Sequence, residues 1–254
     1  MGDEAALDRV STDFGGMIRR RPEAVLVPSA AADIAAVLRD GTPVTARGRG
    51  HSTHGKSLVD SGVVVDMAGL GAVHRVVPGY AVVDGGASWR TVVEATLPHG
   101  LTPPVVPDFL DLSVGGTLSL GGTSHVDNLL ELEVVTGTGS VVTCAPGSDL
   151  FRAVLGGLGQ CGIITRATIA LVPAPEVVRR LNVRYPDTVA LNAAQQELVL
   201  SGQCDYVEGL ILQDDGWSQI LEAFGDKDFT VSGNTVLTTP LLRVPDNRGQ
   251  GIFP

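Results

Sequence analysis

Ala46-Arg47-Gly48-Arg49-Gly50-His51-Ser52-Thr53-His54-Gly55 closes a short apolar stretch and sets a histidine among three glycines. Gly48, Gly50 and Gly55 carry no Cβ, so successive backbone N–H groups can turn towards a bound diphosphate. The spacing is not the G-x-G-x-x-G of a dinucleotide fold: the third glycine falls five residues after the second, and no amphipathic helix follows it. The loop therefore argues against a Rossmann domain. An isolated G-x-G serves a tight turn equally well, so the surrounding chain has to decide between turn and cradle.

Upstream, Glu23 to Pro28 is apolar enough for a strand, and Ser29 can cap a helix through Arg39 with Ile34, Val37 and Leu38 at helical spacing. Val44 to Arg47 is a second strand, leading into the glycine loop. Downstream, Gly62 to Met67 and Tyr80 to Asp84 read as strands, and Gly85-Gly86 turns the chain into a helix from Ser88 to about Leu97. Strands and helices alternating at this interval indicate an α+β or α/β domain.

Two further glycine-rich segments follow. Pro107 to Thr123 places Gly115-Gly116 and Gly121-Gly122 around the hydroxyls of Thr117 and Ser119, offering either sheet bulges or close backbone approach to a ligand. Leu155 to Arg166 is the turn after a helix over Asp149 to Leu155, leading to a strand over Ile163 to Val172. Three such segments favour a large cofactor gripped by backbone. Pro173-Ala-Pro175 breaks the pattern as a domain boundary would.

The 254 residues suffice for one large or two small domains, and 44% apolar with 18% charged residues fits a soluble globular protein. With 28 acidic against 18 basic residues the formal net charge is −10, which argues against nucleic acid or an anionic membrane as partner. Cys144, Cys161 and Cys204 lack any C-x-x-C pattern, so neither a disulfide framework nor a metal site is indicated, and a reducing compartment is expected. Residues 1–30 hold no apolar segment behind a basic start, and no stretch has the length of a membrane span; the expectation is a cytoplasmic protein.

Taken in order, several segments carry a resemblance. They are Arg47-Gly-Arg-Gly-His-Ser52, Val63-Val-Val-Asp-Met67, Asp108 through Gly122, Leu130-Glu-Leu-Glu-Val-Val-Thr-Gly137, Val141-Val-Thr-Cys144, Gly156-Gly-Leu-Gly-Gln160, Gly162 through Ala167, Asp205-Tyr-Val-Glu-Gly209 and Gly249-Gln-Gly-Ile-Phe253. With them the chain resembles the cytokinin dehydrogenases and their bacterial relatives, within the vanillyl-alcohol-oxidase-type (PCMH-type) FAD-binding superfamily. The resemblance implies an α+β fold: a two-subdomain FAD-binding domain over residues 1–175, a partial substrate-capping domain over 176–246, and a return to the flavin domain over 247–254. Members of the family are longer, and here Val126-Asp-Asn128 arrives early and Thr238 to Asp246 runs abruptly into the terminal motif. Breaks in the chain are accordingly expected at 125–126 and between 225 and 247.

Carried over by position, the resemblance makes His51 the attachment point of the flavin 8α-methyl group. It places Gly48, Arg49, Gly50 and Ser52 on the diphosphate and Ala46 against the same cofactor. It also makes Ser113 and Ser119 flavin hydrogen-bond partners, sets Gly116, Thr117 and Gly122 in the second gripping segment, packs Ile164 near the adenine and brings Gln250 back from the far end. Lys56 stands where the family commonly has glutamine, and Cys161 where it has an aromatic residue. Asp108 matches the catalytic aspartate. The residues themselves leave a rival, Asp111, three positions on; either carboxylate could take or orient a substrate N–H proton.

The implied activity is FAD-dependent oxidation of a C–N bond in an amine such as a cytokinin, hydride passing to flavin N5, with oxygen or a quinone-like compound as acceptor and a small molecule as substrate. Oxidation of an alcohol, sugar or natural-product hydroxyl is the alternative within the superfamily. A flavin-binding fragment without turnover is the alternative outside enzymes.

Overall fold

The computed structural model describes residues 4–121, 123–212, 218–225, 235–238 and 242–243, and divides after Pro173 into two compact units. The first unit begins with α1 (Glu4–Arg9), β1 (Ala24–Leu26), α2 (Ala31–Arg39), β2 (Val44–Arg47) and β3 (Val63–Asp66). β3 lies between β1 and β2 in a parallel three-stranded sheet, with Leu26 opposite Val65 and Arg47 opposite Asp66. The expected strands stand here, trimmed at their ends. The helix starts one residue later than expected: Ala30 is its N-cap, and the Asp33 carboxylate accepts from the backbone of Ser29 and Ala30 and from the Ser29 hydroxyl. The carboxylate at the third helical position thus reaches back to the two N–H groups just ahead of the helix, the reciprocal half of a capping box.

The chain continues through β4 (Val73–Val77), β5 (Tyr80–Asp84), α3 (Trp89–Thr96), β6 (Leu101–Thr102), α4 (Val114–Leu120), α5 (Thr123–Val126), β7 (Leu129–Val135), β8 (Val141–Cys144), α6 (Asp149–Val154), β9 (Ile163–Ala170) and β10 (Val172–Pro173). Five of these strands form an antiparallel sheet in the order β4-β5-β9-β7-β8, and β6 pairs with β10. Ser88 caps α3 through Thr91 N, and Ser148 caps α6 through Phe151 N. Trp89, Val92, Val114, Leu118, Leu132 and Ile169 form the centre of a buried cluster between this sheet and its helices. A second cluster, Ile34 and Ala35 of α2 with Val65, Met67, Val135 and Ile163, joins the two sheets. Burying such side chains contributes on the order of 1.5–3 kcal/mol each, so the relative position of the sheets is set by packing.

One alternative and one expectation are corrected. The segment from Ser113 to Leu120 forms no sheet bulge but a helix with two glycines in its first turn, a residue type that disfavours helix. Close packing explains the choice: Gly115 N donates to Gly85 O at 2.7 Å, and a Cβ on Gly115 would lie 2.9 Å from that oxygen. Residues 125 and 126 share α5, with Asn128 N donating to His125 O at 3.4 Å, so local hydrogen bonding carries the chain through the expected break. Most of the stretch between 225 and 247 lies outside the described residues.

The second unit contains β11 (Val177–Tyr185), α7 (Thr188–Ser201), β12 (Tyr206–Leu212), β13 (Ser218–Gly225), β14 (Thr235–Thr238) and β15 (Leu242–Arg243). The sheet order β12-β13-β11-β14 is antiparallel throughout. α7 is capped by the Asp187 carboxylate and ended by Gly202 at φ +60°; its Leu191, Ala194 and Leu198 pack with Val183 and Tyr185 of β11.

Candidate active site

In the first unit the glycine loop leaves the C-terminal end of β2 and meets the N-terminal turn of α4. An ideal Cβ on Gly48 would stand 2.0 Å from Ser113 Oγ, and one on Gly116 would stand 2.7 Å from the same atom. Hydrogen at Gly48 lets loop and helix close on each other, since a Cβ there would also come within 3.1 Å of Ser113 Cβ. Gly50 follows with φ +84°, and Arg47 lies beneath it: a Cβ on Gly50 would be 2.8 Å from the guanidinium. Arg47 donates to Thr12 O at 3.3 Å and Ser57 Oγ at 3.4 Å, and its burial pulls its pKa down against the opposing charge of Asp66. Asp66 also pairs with Arg9 at 2.9 Å. Arg47 is thus a strut under the loop.

Two adjoining cavities run along this junction. The first is walled by Ala46, Gly48, Ser52, Ser113, Gly116, Ser119 and Ile164, together with Met67, Gly85, Leu158, Gly159, Gln160 and Gly162. The second is walled by Gly48, Arg49, Gly50, His51, Ser52, Ser113, Gly116 and Thr117, with Pro107, Leu112, Gly121 and His125. Gly48, Ser52, Lys56, Ser113, Gly116 and Leu120 line both, so they form one cleft. Every described residue expected on the cofactor lies on its walls. Gly122 and Gln250 lie outside the described residues.

The expected contacts are not chemically equivalent. The Thr117 hydroxyl accepts from Trp89 Nε1 and donates to Ser113 O, both at 3.0 Å, so its proton is already used within the fold. His51 is half-buried between Phe14 and Phe109, ring centroids 5.1 and 5.0 Å away, and its Nδ1 is buried without a hydrogen-bond partner. His54 sits at φ +59°, bonded to Thr53 Oγ1 and turned to solvent.

The two carboxylates differ sharply. Asp111 is held by Arg90, Oδ1 to Nε at 2.8 Å and Oδ2 to Nη2 at 3.3 Å, and that guanidinium holds its carboxyl below the usual range. Asp108 is exposed between Pro107, a wall of the second cavity, and Phe109, whose ring meets His51. It lines neither cavity itself. Spacing leaves the pair ambiguous, whereas Arg90 commits Asp111 to α3.

Lys56, which stands where the family commonly has glutamine, lines both cavities. Sequence reasoning missed the Leu158-Gly-Gln160 turn that closes the first, although the glycine motif over 156–160 carried its signal. His125 was passed over. It packs on Trp89 at 5.4 Å with its Nε2 buried and unpartnered, and burial pushes its pKa down while nearby Asp108 raises it.

A long cleft with glycine walls, hydroxyls and an unpartnered imidazole nitrogen fits a flavin dinucleotide. Comparison with known proteins agrees. Residues 22–145 match a family described as FAD binding domain. The chain is 45% identical over 236 residues to cytokinin dehydrogenase 7 of Oryza sativa subsp. japonica, covering 82% of this chain and 45% of the relative. Cytokinin dehydrogenase 6 of the same plant is 44% identical, again over 82% of this chain and 45% of the relative. A protein named "Uncharacterized oxidoreductase ORF5 in fasciation locus" from Rhodococcoides fascians is 41% identical, over 84% of this chain and 52% of the relative. The chain is cytokinin dehydrogenase-like, carries a FAD-binding domain, and spans about half the length of these relatives.

Gly48→Ala drives a methyl into Ser113, so flavin affinity should fall at least about tenfold, the equivalent of about 1.4 kcal/mol; fluorescence titration with FAD measures it, and unchanged affinity contradicts the packing. His125 gives a pH signature. Its folded pKa lies below the ordinary 6.5, so the unfolded chain takes the proton first and stability falls as pH drops below about 6.5. Chemical unfolding at pH 8 and pH 5 should show a smaller difference between the two pH values in His125→Gln than in the parent.

Proposed function

We propose that this chain is the flavin-carrying portion of a longer oxidoreductase that oxidises the C–N bond of an amine of the cytokinin type. The observation that carries the reading is the glycine- and hydroxyl-walled cleft that His51 also lines, in a chain 44–45% identical to two cytokinin dehydrogenases. Asp108 stands exposed beside it, on the segment that joins Pro107 to the Phe109–His51 contact.

The bound flavin would supply a ring that accepts two electrons as hydride. Backbone N–H groups of Gly48 to Ser52 would take the diphosphate, with Arg49 contributing charge at the rim, and Ser113 and Ser119 would meet the cofactor along α4. Ala46 and Ile164 give the first cavity apolar walls suited to a planar ring system. His51, which lines the second cavity, would form the covalent link. Asp108 would accept a hydrogen bond from the substrate N–H, orienting the nitrogen lone pair towards the carbon that loses hydride and taking the proton as the imine forms. Water then opens the imine to an amine and an aldehyde. Oxygen or a quinone-like compound would receive the electrons.

Two other readings predict different kinetics. An oxidase of alcohols or sugars would use Asp108 on a hydroxyl proton, and a binding module would show no reduction of its flavin by any of these substrates. In the full-length holoprotein, Asp108→Asn should slow anaerobic flavin reduction by an isopentenyl-type adenine on the order of 10²- to 10⁴-fold, while Asp111→Asn changes it far less. Reduction by Asp108→Asn at the parental rate overturns the assignment. Reduction of the parent protein by alcohols or sugars and not by amines transfers the reading to the alternative chemistry.

A further inference from the structure

Among the described residues, the unusual feature of His51 is how its ring is held. A functional imidazole is ordinarily oriented by a hydrogen bond on one nitrogen. Here Nδ1 is buried and unpartnered, and the recorded contacts of the ring are aromatic: Phe14 tilted at 41° on one side and Phe109 at 66°, nearly edge-on, on the other. Packing therefore sets the ring's orientation.

Neither phenylalanine is there for the core. Phe14 is 64% exposed and Phe109 49% exposed, and both stand outside the buried clusters. Each is nonetheless fixed by its backbone. Phe14 N donates to Ser52 O at 3.1 Å, tying its segment to the residue after His51. The preceding residue, Asp13, is 5% exposed and knots the turn, accepting from Met17 N at 3.0 Å and Ile18 N at 3.2 Å. Ile18 then packs under the far end of the histidine loop, where a Cβ on Gly55 would meet its Cγ2 at 3.1 Å. Phe109 is anchored by the turn at its C-terminal side, Leu112 N donating to Phe109 O at 3.2 Å and Arg90 N to Leu110 O at 2.8 Å. Two rigid turns thus hold two exposed rings against one histidine.

We propose that Phe14 and Phe109 are positioning residues that clamp His51 for covalent attachment of the flavin, an inference that rests on the reading of His51 as the attachment point. The reaction joins an imidazole nitrogen to the 8α carbon. It breaks one N–H and one C–H bond, leaves two electrons on the ring, and transfers them with two protons to molecular oxygen, so the products are the N–C link and hydrogen peroxide. Attack requires the nitrogen to face that carbon at bonding approach, and a misplacement of about 1 Å costs on the order of 10²-fold in rate. The two rings supply that constraint where no hydrogen bond does.

The experiment uses full-length protein produced without flavin and then given FAD, with flavin fluorescence of the denatured band followed over time. Parent protein should become fluorescent and His51→Ala should not. Phe14→Ala/Phe109→Ala should incorporate flavin about 10- to 100-fold more slowly, by the same misplacement estimate. The same two changes made on His51→Ala should leave reversible FAD affinity unaltered. Phe14→Tyr/Phe109→Tyr keeps the rings and should restore the rate, and Phe14→Leu/Phe109→Leu, which keeps the bulk, should remain slow. Met17→Ala alters an 89% exposed side chain on the same turn and should ligate at the parental rate. Parental rates in the alanine and leucine pairs overturn the clamp while His51 remains the attachment point. An equal slowing in Met17→Ala assigns the effect to the turn and also overturns it. No covalent flavin in the parent removes the His51 reading and the clamp with it.

Discussion

The structure depends most on the approach of one glycine to one serine. Gly48, at the end of a parallel strand, comes so near Ser113, at the head of a helix on the other sheet, that any side chain would overlap the hydroxyl. This contact brings the loop with His51 into line with the helix carrying Gly116, Thr117 and Ser119. Without it the two cavities would not share Gly48, Ser52 and Ser113 as walls. The helix itself opens with two glycines, Gly115 packed on Gly85 and Gly116 on Ser113, and the hydrophobic cluster of Trp89, Val114 and Leu118 offsets their cost.

The loop's own geometry is secured from below and from the side. From below, the Arg47 guanidinium reaches Thr12 and Ser57 with Asp66 as its countercharge. From the side, the Asp13 carboxyl is held below its usual range, first by the backbone N–H of Ile18 and then by Met17, Gly55 and His54, which draws the N-terminal turn onto the loop. The segment carrying His51 is in this way fixed from two sides. In the neighbouring turn Arg90 holds Asp111, while Asp108 is exposed.

Much of this was legible in the sequence, because its signals are local. Val44–Arg47 and Tyr80–Asp84 have the boundaries their apolar content implies, and the helix after Gly86 starts at its Ser88 cap. The ordered glycine segments led to the flavin-binding reading. What escaped depends on tertiary contact. Helical propensity argues against a helix beginning Val-Gly-Gly, and only the carbonyl of Gly85 and the hydroxyl of Ser113 explain why glycine is needed there. Nothing in the pattern around His125 shows that it will lie on Trp89, nor around Phe14 that its ring will meet His51 across 37 residues of chain. The choice between Asp108 and Asp111 likewise needed the position of Arg90.

The central claim is that the backbone of the histidine loop and the first turn of the glycine helix grip the cofactor together. Hydrogen exchange of the full-length protein with and without FAD reads this directly, since an amide bonded to a diphosphate oxygen or buried under a ring loses access to solvent. Slower exchange on adding FAD over Gly48 to Ser52 and over Ser113 to Leu120, both in the same titration, is the predicted result. Protection at one segment without the other, or at neither while FAD binds, would contradict it.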